Sequence, residues 1–198
     1  ELARRVHPHV YLMDHDDKCV LPERAEFREK GHVLWVGFSD YVAVLRDWLV
    51  EHPLPYPLVV LTDRPGRFSL PGRVEQLRWT PARQYEYMRT AKGAIDIKGP
   101  CFNQRMKPPE KAQTFIASGI PTACNLDSPV YSPKAFSGFR LADASDFGTW
   151  FSREYYEATQ KYAHVLRKRM SLEVIGRQVM AIVQQVHRSH NRQVETLS

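Results

Sequence analysis

Two lysines, Lys107 and Lys111, bracket a Pro-Pro pair at the head of a helix-like run, "MKPPEKAQTFIASGIPTACN", Met106 to Asn125. A helix N-terminus already carries partial positive charge, so lysines placed there are unfavourable unless an anion lies between them. The unpaired N–H groups of the first turn supply donors for that anion. Anion binding is the chemistry this spacing suits; the bland alternative is a pair of solvated surface lysines. Pro109 fits the first helical turn, where a missing N–H costs nothing. Gly119 fits the helix cap, and Pro121 stops the helix from continuing.

Other reactive residue types carry less. The run "DHDD", Asp14 to Asp17, with His7 and His9 nearby, is oxygen-rich, but no cation-site spacing supports it. It reads better as a polar turn leading from a preceding domain. Cys101 follows a Gly-Pro turn, and no histidine base is identifiable for a catalytic thiol. Cys124, inside an apolar run, reads as buried and inert. Trp79 fits core packing, the preferred role, or stacking on a nucleobase. Asp96 reads equally as a loop cap or a ligand contact. Tyr85 and Tyr87 read as leaning on a sheet or the surface.

These residues need elements to hold them. "HVLWVG" (His32 to Gly37), "LVVLT" (Leu58 to Thr62), "VEQLRW" (Val74 to Trp79), "GAIDIK" (Gly93 to Lys98) and "PTACN" (Pro121 to Asn125) read as strands. Helices are expected over Tyr41 to Glu51, Pro81 to Thr90 and Ala112 to Ser118. A short last strand fits "FRLAD". Two further helices follow, one over "DASDFGTWFSREYYEATQKYAHVLRKRM" and one opened by Ser171 and Glu173. Val10 to Met13 is strand-like. Apolar strands alternating with helices predict an α/β, Rossmann-like doubly wound parallel sheet with helices on both faces. A two-helix C-terminal extension completes it.

Ligands of such sheets sit beyond the carboxyl ends of the strands. The candidates are then Gly37, Phe38 and Ser39; Thr62, Asp63 and Arg64; Trp79; Lys98 to Lys107; and Asn125 and Asp127.

The bulk numbers set the limits. At 198 residues, 43% hydrophobic and 25% charged, the chain can bury a core as one large or two small domains. Residues 1–30 read as a linker or edge segment from a preceding domain, and 31–198 as the ligand-binding domain with its C-terminal helices. No run reaches membrane-span length. Three widely spaced cysteines form neither a disulfide framework nor a zinc knuckle, which fits a reducing, cytoplasmic setting. The net charge of +6 suits a nucleic acid, an anionic membrane surface or a phosphorylated small molecule. No nucleic-acid motif is present, and the helix "REYYEATQKYAHVLRKR" mixes acids and bases as a solvated face does. No nucleic-acid partner is expected. Peripheral association with the inner face of a membrane stays open.

The phrase "KPPEKAQTFIASGIP" and the order of elements resemble the C-terminal, donor-binding half of GT-B-fold glycosyltransferases of the group 1 type. The matching residues are Asp96-Ile97, the loop Gly99 to Met106, Lys107 to Lys111, the helix Ala112 to Ser118, Gly119-Ile120-Pro121 and the strand Thr122 to Asn125. The looser likeness runs from Gly31 to Arg188. The resemblance implies a nucleotide-diphosphate sugar as donor substrate, of UDP type in glycan biosynthesis, with no cofactor and no metal. Its diphosphate would rest on the helix that follows Pro109. Lys107, Lys111 and Arg105 would neutralise it; Glu110 from the same segment and the strand-end candidates Gly37, Phe38 and Trp79 complete the expected site. The acceptor site would belong to an N-terminal domain partner. Two departures stand out. The glutamate pair of many retaining members falls on Met106 and Thr114, and no basic residue follows the first strand. The alternatives are a sugar-nucleotide epimerase on the same fold and a non-catalytic interaction module.

Overall fold

The computed structural model describes residues 19–105, 107–133 and 136–195, with side chains as far as 188. The sequence features at His7, His9, Val10 to Met13, Asp14 to Asp17 and Met106 lie outside the described residues.

Strands β1 (His32–Val36), β2 (Leu58–Thr62), β3 (Val74–Arg78), β4 (Ala91–Asp96), β5 (Thr122–Cys124) and β6 (Ala142–Asp143) form one sheet in the order β3-β2-β1-β4-β5-β6. Every pairing is parallel. The alternation within β1 and β2 shows why these runs are apolar throughout. Val33, Trp35, Leu58 and Val60 enter one buried cluster, and Leu34, Val59 and Leu61 enter the other. A strand covered on both faces cannot spend alternate positions on polar residues.

The helices divide between the two faces. Helix α1 (Val42–Glu51) brings Val42, Leu45 and Leu49 to the Trp35 side. Helix α2 (Pro81–Thr90) and helix α4 (Glu110–Ala117) bring Met88 and Phe115 to the Leu34 side. Tyr85 and Tyr87 lean on that second cluster, as expected. Leu21 and Ala25, ahead of β1, are buried there too.

Three local differences from the sequence reading have physical causes. Strand β4 starts two residues early, at Ala91, because α2 passes into it without a loop. That places Lys92 inside a strand, where its ammonium donates to the Arg28 carbonyl (3.0 Å) amid the rings of Phe27, Tyr56 and Phe151. A four-residue helix, α3 (Phe102–Arg105), occupies the expected loop. The long helix expected after Asp143 is two, α5 (Phe147–Trp150) and α6 (Arg153–Arg169). Asp146 caps the first through the Thr149 N–H, and Ser152 accepts from the Tyr155 N–H at the start of the second.

The chain divides into two units between Leu166 and Arg167. The sheet and its covering helices belong to the first. In the second, helix α7 (Leu172–Glu195) starts as expected, with the Ser171 hydroxyl accepting from the Val174 N–H (3.4 Å).

Candidate functional site

Strand order reverses between β1 and β4, which opens a crevice at their carboxyl ends. A cleft of about 300 Å³ lies there, lined by Trp35 and Phe38 from the β1 end and by Asp96, Ile97 and Lys98 from the β4 end. Gln104, Lys107, Glu110 and Lys111 close it from α3 and the head of α4. Helix α4 begins at Glu110 with Pro109 as its N-cap, and no side chain caps its free N–H groups. Its far end is a Schellman motif: Ile120 N–H donates to the Phe115 carbonyl and Gly119 N–H to that of Ile116, with Gly119 at φ 77°.

The floor of this cleft is charged and buried. Asp96 is 1% exposed; Lys98 Nζ stands 3.2 Å from its Oδ2, and the Tyr131 hydroxyl donates to the same oxygen at 2.7 Å. Burial by itself would raise the Asp96 carboxyl. Lys111 and Lys98, helped by the Tyr131 hydroxyl, outweigh that and hold it below the ordinary carboxylate value. The Lys111 pKa is lowered too, for a different reason. Burial lowers its pKa most, Asp96 opposes this, and the charges of Lys98 and Lys107 lower it further. A burden of repelling cations beside one carboxylate favours an incoming anion.

Lys98 is held in place by Asn125, which accepts from its N–H and donates to its carbonyl, both at 2.8 Å. Lys107 reaches across to the Tyr41 hydroxyl and ring. Lys111 Nζ sits 5.1 Å from the Trp35 ring centroid. That approach needs Gly37: a Cβ there would stand 2.5 Å from the Trp35 ring and 2.9 Å from Lys111 Nζ.

A second cavity, about 260 Å³ and mainly apolar, adjoins the first and shares Phe38 and Lys111 with it. Val36, Gly37, Asp63, Trp79 and Gln84 complete its lining. Trp79 is 39% exposed and Phe38 67%, so both offer ring surface to a ligand. The indole N–H donates to Gln84 Oε1 at 2.6 Å, which fixes the plane of the ring. Asp63, after β2, accepts from the Ser39 N–H at 2.7 Å, and this bond holds its carboxyl below the ordinary value.

The structure thus brings Gly37, Phe38, Trp79, Lys107, Glu110 and Lys111 to the two cavities. Arg105 lines neither; α3 turns its guanidinium to the Asp127 carbonyl (2.8 Å). Pro109 acts through the backbone as the helix N-cap. Sequence reasoning did not single out Trp35, Tyr41, Gln84 or Tyr131. Tyr131 sits in the turn-rich stretch after Pro129, far along the chain from Asp96, and no periodicity marks it. Trp35 could have been found from the small residue two places on, since alternate strand positions share a face.

No protein-family model matches the chain, and no curated protein sequence matches it. Among solved structures the chain is similar to TarM, with a TM-score of 0.55 and 10% sequence identity over 87% of this chain and 37% of TarM. It also matches CalG4, the calicheamicin glycosyltransferase (TM-score 0.44, 12% identity, 83% of this chain and 46% of that one). A third match is the glycosyltransferase SnogD from Streptomyces nogalater (TM-score 0.40, 17% identity, 82% and 46%). The chain spans less than half the length of each. The likeness to TarM is one of fold, and the fold is a Rossmann-like half of a GT-B architecture.

Proposed function

We propose that this chain is the donor-binding half of a glycosyltransferase, which holds a nucleotide-diphosphate sugar while its sugar passes to an acceptor. One observation carries the reading. At the switch point of a doubly wound sheet, a lysine-rich cleft and an apolar, tryptophan-lined cavity meet at Phe38 and Lys111. A ligand that fills both needs a flat apolar end and an anionic middle joined by a short link. A nucleoside diphosphate has that form.

In the reaction, an acceptor hydroxyl oxygen bonds to the anomeric carbon and gives up its proton. The bond from that carbon to the terminal phosphate oxygen breaks, and the nucleoside diphosphate leaves with the electron pair. Lys107, Lys111 and the free N–H groups of α4 face the charge that grows on the leaving group. Lys98 reinforces them from the floor. The acceptor site and any general base are assigned to a partner domain.

A thermal-shift screen against UDP, GDP, ADP and CDP and their sugars, with Lys111→Ala alongside, tests the reading. Ligand at about a hundred times its dissociation constant adds roughly 2.7 kcal/mol of stability. The expected result is a shift with one nucleotide that is much reduced in the variant. A non-catalytic module is the second reading. Thr114 favours it, because this residue stands where retaining members carry a glutamate, is buried, and donates its hydroxyl to the Glu110 carbonyl. That reading expects no shift with any nucleotide.

A further inference from the structure

We propose that Asp63 takes a ribose hydroxyl of the bound nucleotide, so that the site selects ribonucleotides over their deoxy counterparts. The inference rests on the nucleotide reading above. A donor site needs an acceptor for the sugar hydroxyls of the nucleoside, and Thr114, buried at 4% exposure, lines neither cavity. Asp63 reaches the apolar cavity from a different strand end, beside Trp79, Phe38 and Lys111.

Its two oxygens are used unequally. Oδ1 accepts from the Ser39 N–H (2.7 Å) and the Thr62 hydroxyl (3.2 Å). Oδ2 has only long contacts, to the Ser39 hydroxyl at 3.5 Å and Arg64 Nε at 3.6 Å. One oxygen therefore anchors the side chain while the other keeps acceptor capacity. An ionised carboxylate accepts and does not donate, so it suits an O–H group and repels phosphate. Asp63 lines the apolar cavity, whereas Lys98 and Lys107 line the other, so it also fixes which way the nucleotide runs.

The other carboxylates lining the two cavities, among the described residues, do not compete. Asp96 is taken by Lys98 and Tyr131. Glu110 stands at the head of α4 in the lysine cleft, where the phosphates would lie. Between the base in one cavity and the phosphates in the other comes the ribose, whose free hydroxyls are its donors.

The test is isothermal titration of the 198-residue chain with UDP, GDP, ADP and CDP. The 2′-deoxy and 3′-deoxy forms of whichever binds follow, with inorganic pyrophosphate as a second probe. The wild-type chain should favour the ribonucleotide over one deoxy form by about tenfold to a hundredfold, as for a hydrogen bond to a charged acceptor. In Asp63→Asn, Oδ1 still serves Ser39 while an N–H donor replaces Oδ2. Its preference should fall towards unity with pyrophosphate affinity unchanged. Equal binding of ribo and deoxy forms by the wild-type chain overturns the role of Asp63 and leaves the nucleotide reading standing. So does a preference that survives in Asp63→Asn. Failure of every nucleotide to bind overturns both, and the wild-type ratio needs no variant to be read.

Discussion

Replacing Asp96 by asparagine keeps an acceptor for Tyr131 and Lys98 but removes the charge between Lys98 and Lys111. Removing one member of a buried pair leaves its partner uncompensated, so Asp96→Asn should cost about 3 kcal/mol at pH 7 by urea denaturation. The folded Asp96 pKa lies below 3.8, so its stabilisation is present above that pH and fades as pH falls through the folded value. The gap between wild type and variant should therefore persist at pH 5 and close only in stronger acid. Lys111 predicts a second pH effect. Asp96 is what chiefly opposes the lowering of the Lys111 pKa from 10.5, so nucleotide affinity should be lost at a lower alkaline pH in the variant than in wild type. Titration of affinity against pH reads this directly. At Gly37 the constraint is steric rather than conformational. Gly37→Ala should destabilise by about 1–3 kcal/mol, as overpacking does, and weaken nucleotide binding by displacing Lys111.

At the scale of elements, the cap of α4 holds the loop that joins it to β5. Gly119 adopts φ 77°, its carbonyl accepts from Gln160 Nε2 (2.8 Å), and an added Cβ would stand 2.6 Å from that same nitrogen. Gly119→Ala should lower stability by about 1–2 kcal/mol from the backbone term alone, measured by thermal unfolding. This cap was legible because Gly-Ile-Pro is local chemistry. So were β1 and β2, whose apolar runs are bounded by turn residues, β3, by its alternation, and α2, whose Thr80 cap and Pro81 mark its start. The start of β4 was hidden because it follows α2 directly and because Lys92 looks like a surface residue. The Arg28 carbonyl and three rings, all distant in sequence, make its burial tolerable. The break between α5 and α6 falls at Ser152, whose hydroxyl accepts from the Tyr155 N–H. The Lys107–Lys111 half of the site could be read from spacing near one helix start. Tyr131, Gln84 and the open oxygen of Asp63 depend on contacts between distant segments, which no local pattern records.

Every lining residue of the two cavities lies in the unit Lys18–Leu166. A chain ended after Met170 should accordingly keep the nucleotide affinity of the 198-residue form, and titration of both checks it. Among the described residues no helix is long and apolar enough to cross a membrane. The sharing of Lys111 by the two cavities has a further consequence for turnover. The bond broken in the proposed reaction joins the sugar to the terminal phosphate, not the nucleoside to its diphosphate. The spent nucleotide thus remains one tethered piece, each end held at high effective concentration by the other. It keeps the contacts that the two cavities would make with the donor's nucleoside diphosphate. Product escape, rather than bond breaking, then becomes the natural brake on the cycle, and free nucleotide a strong competitor of fresh donor.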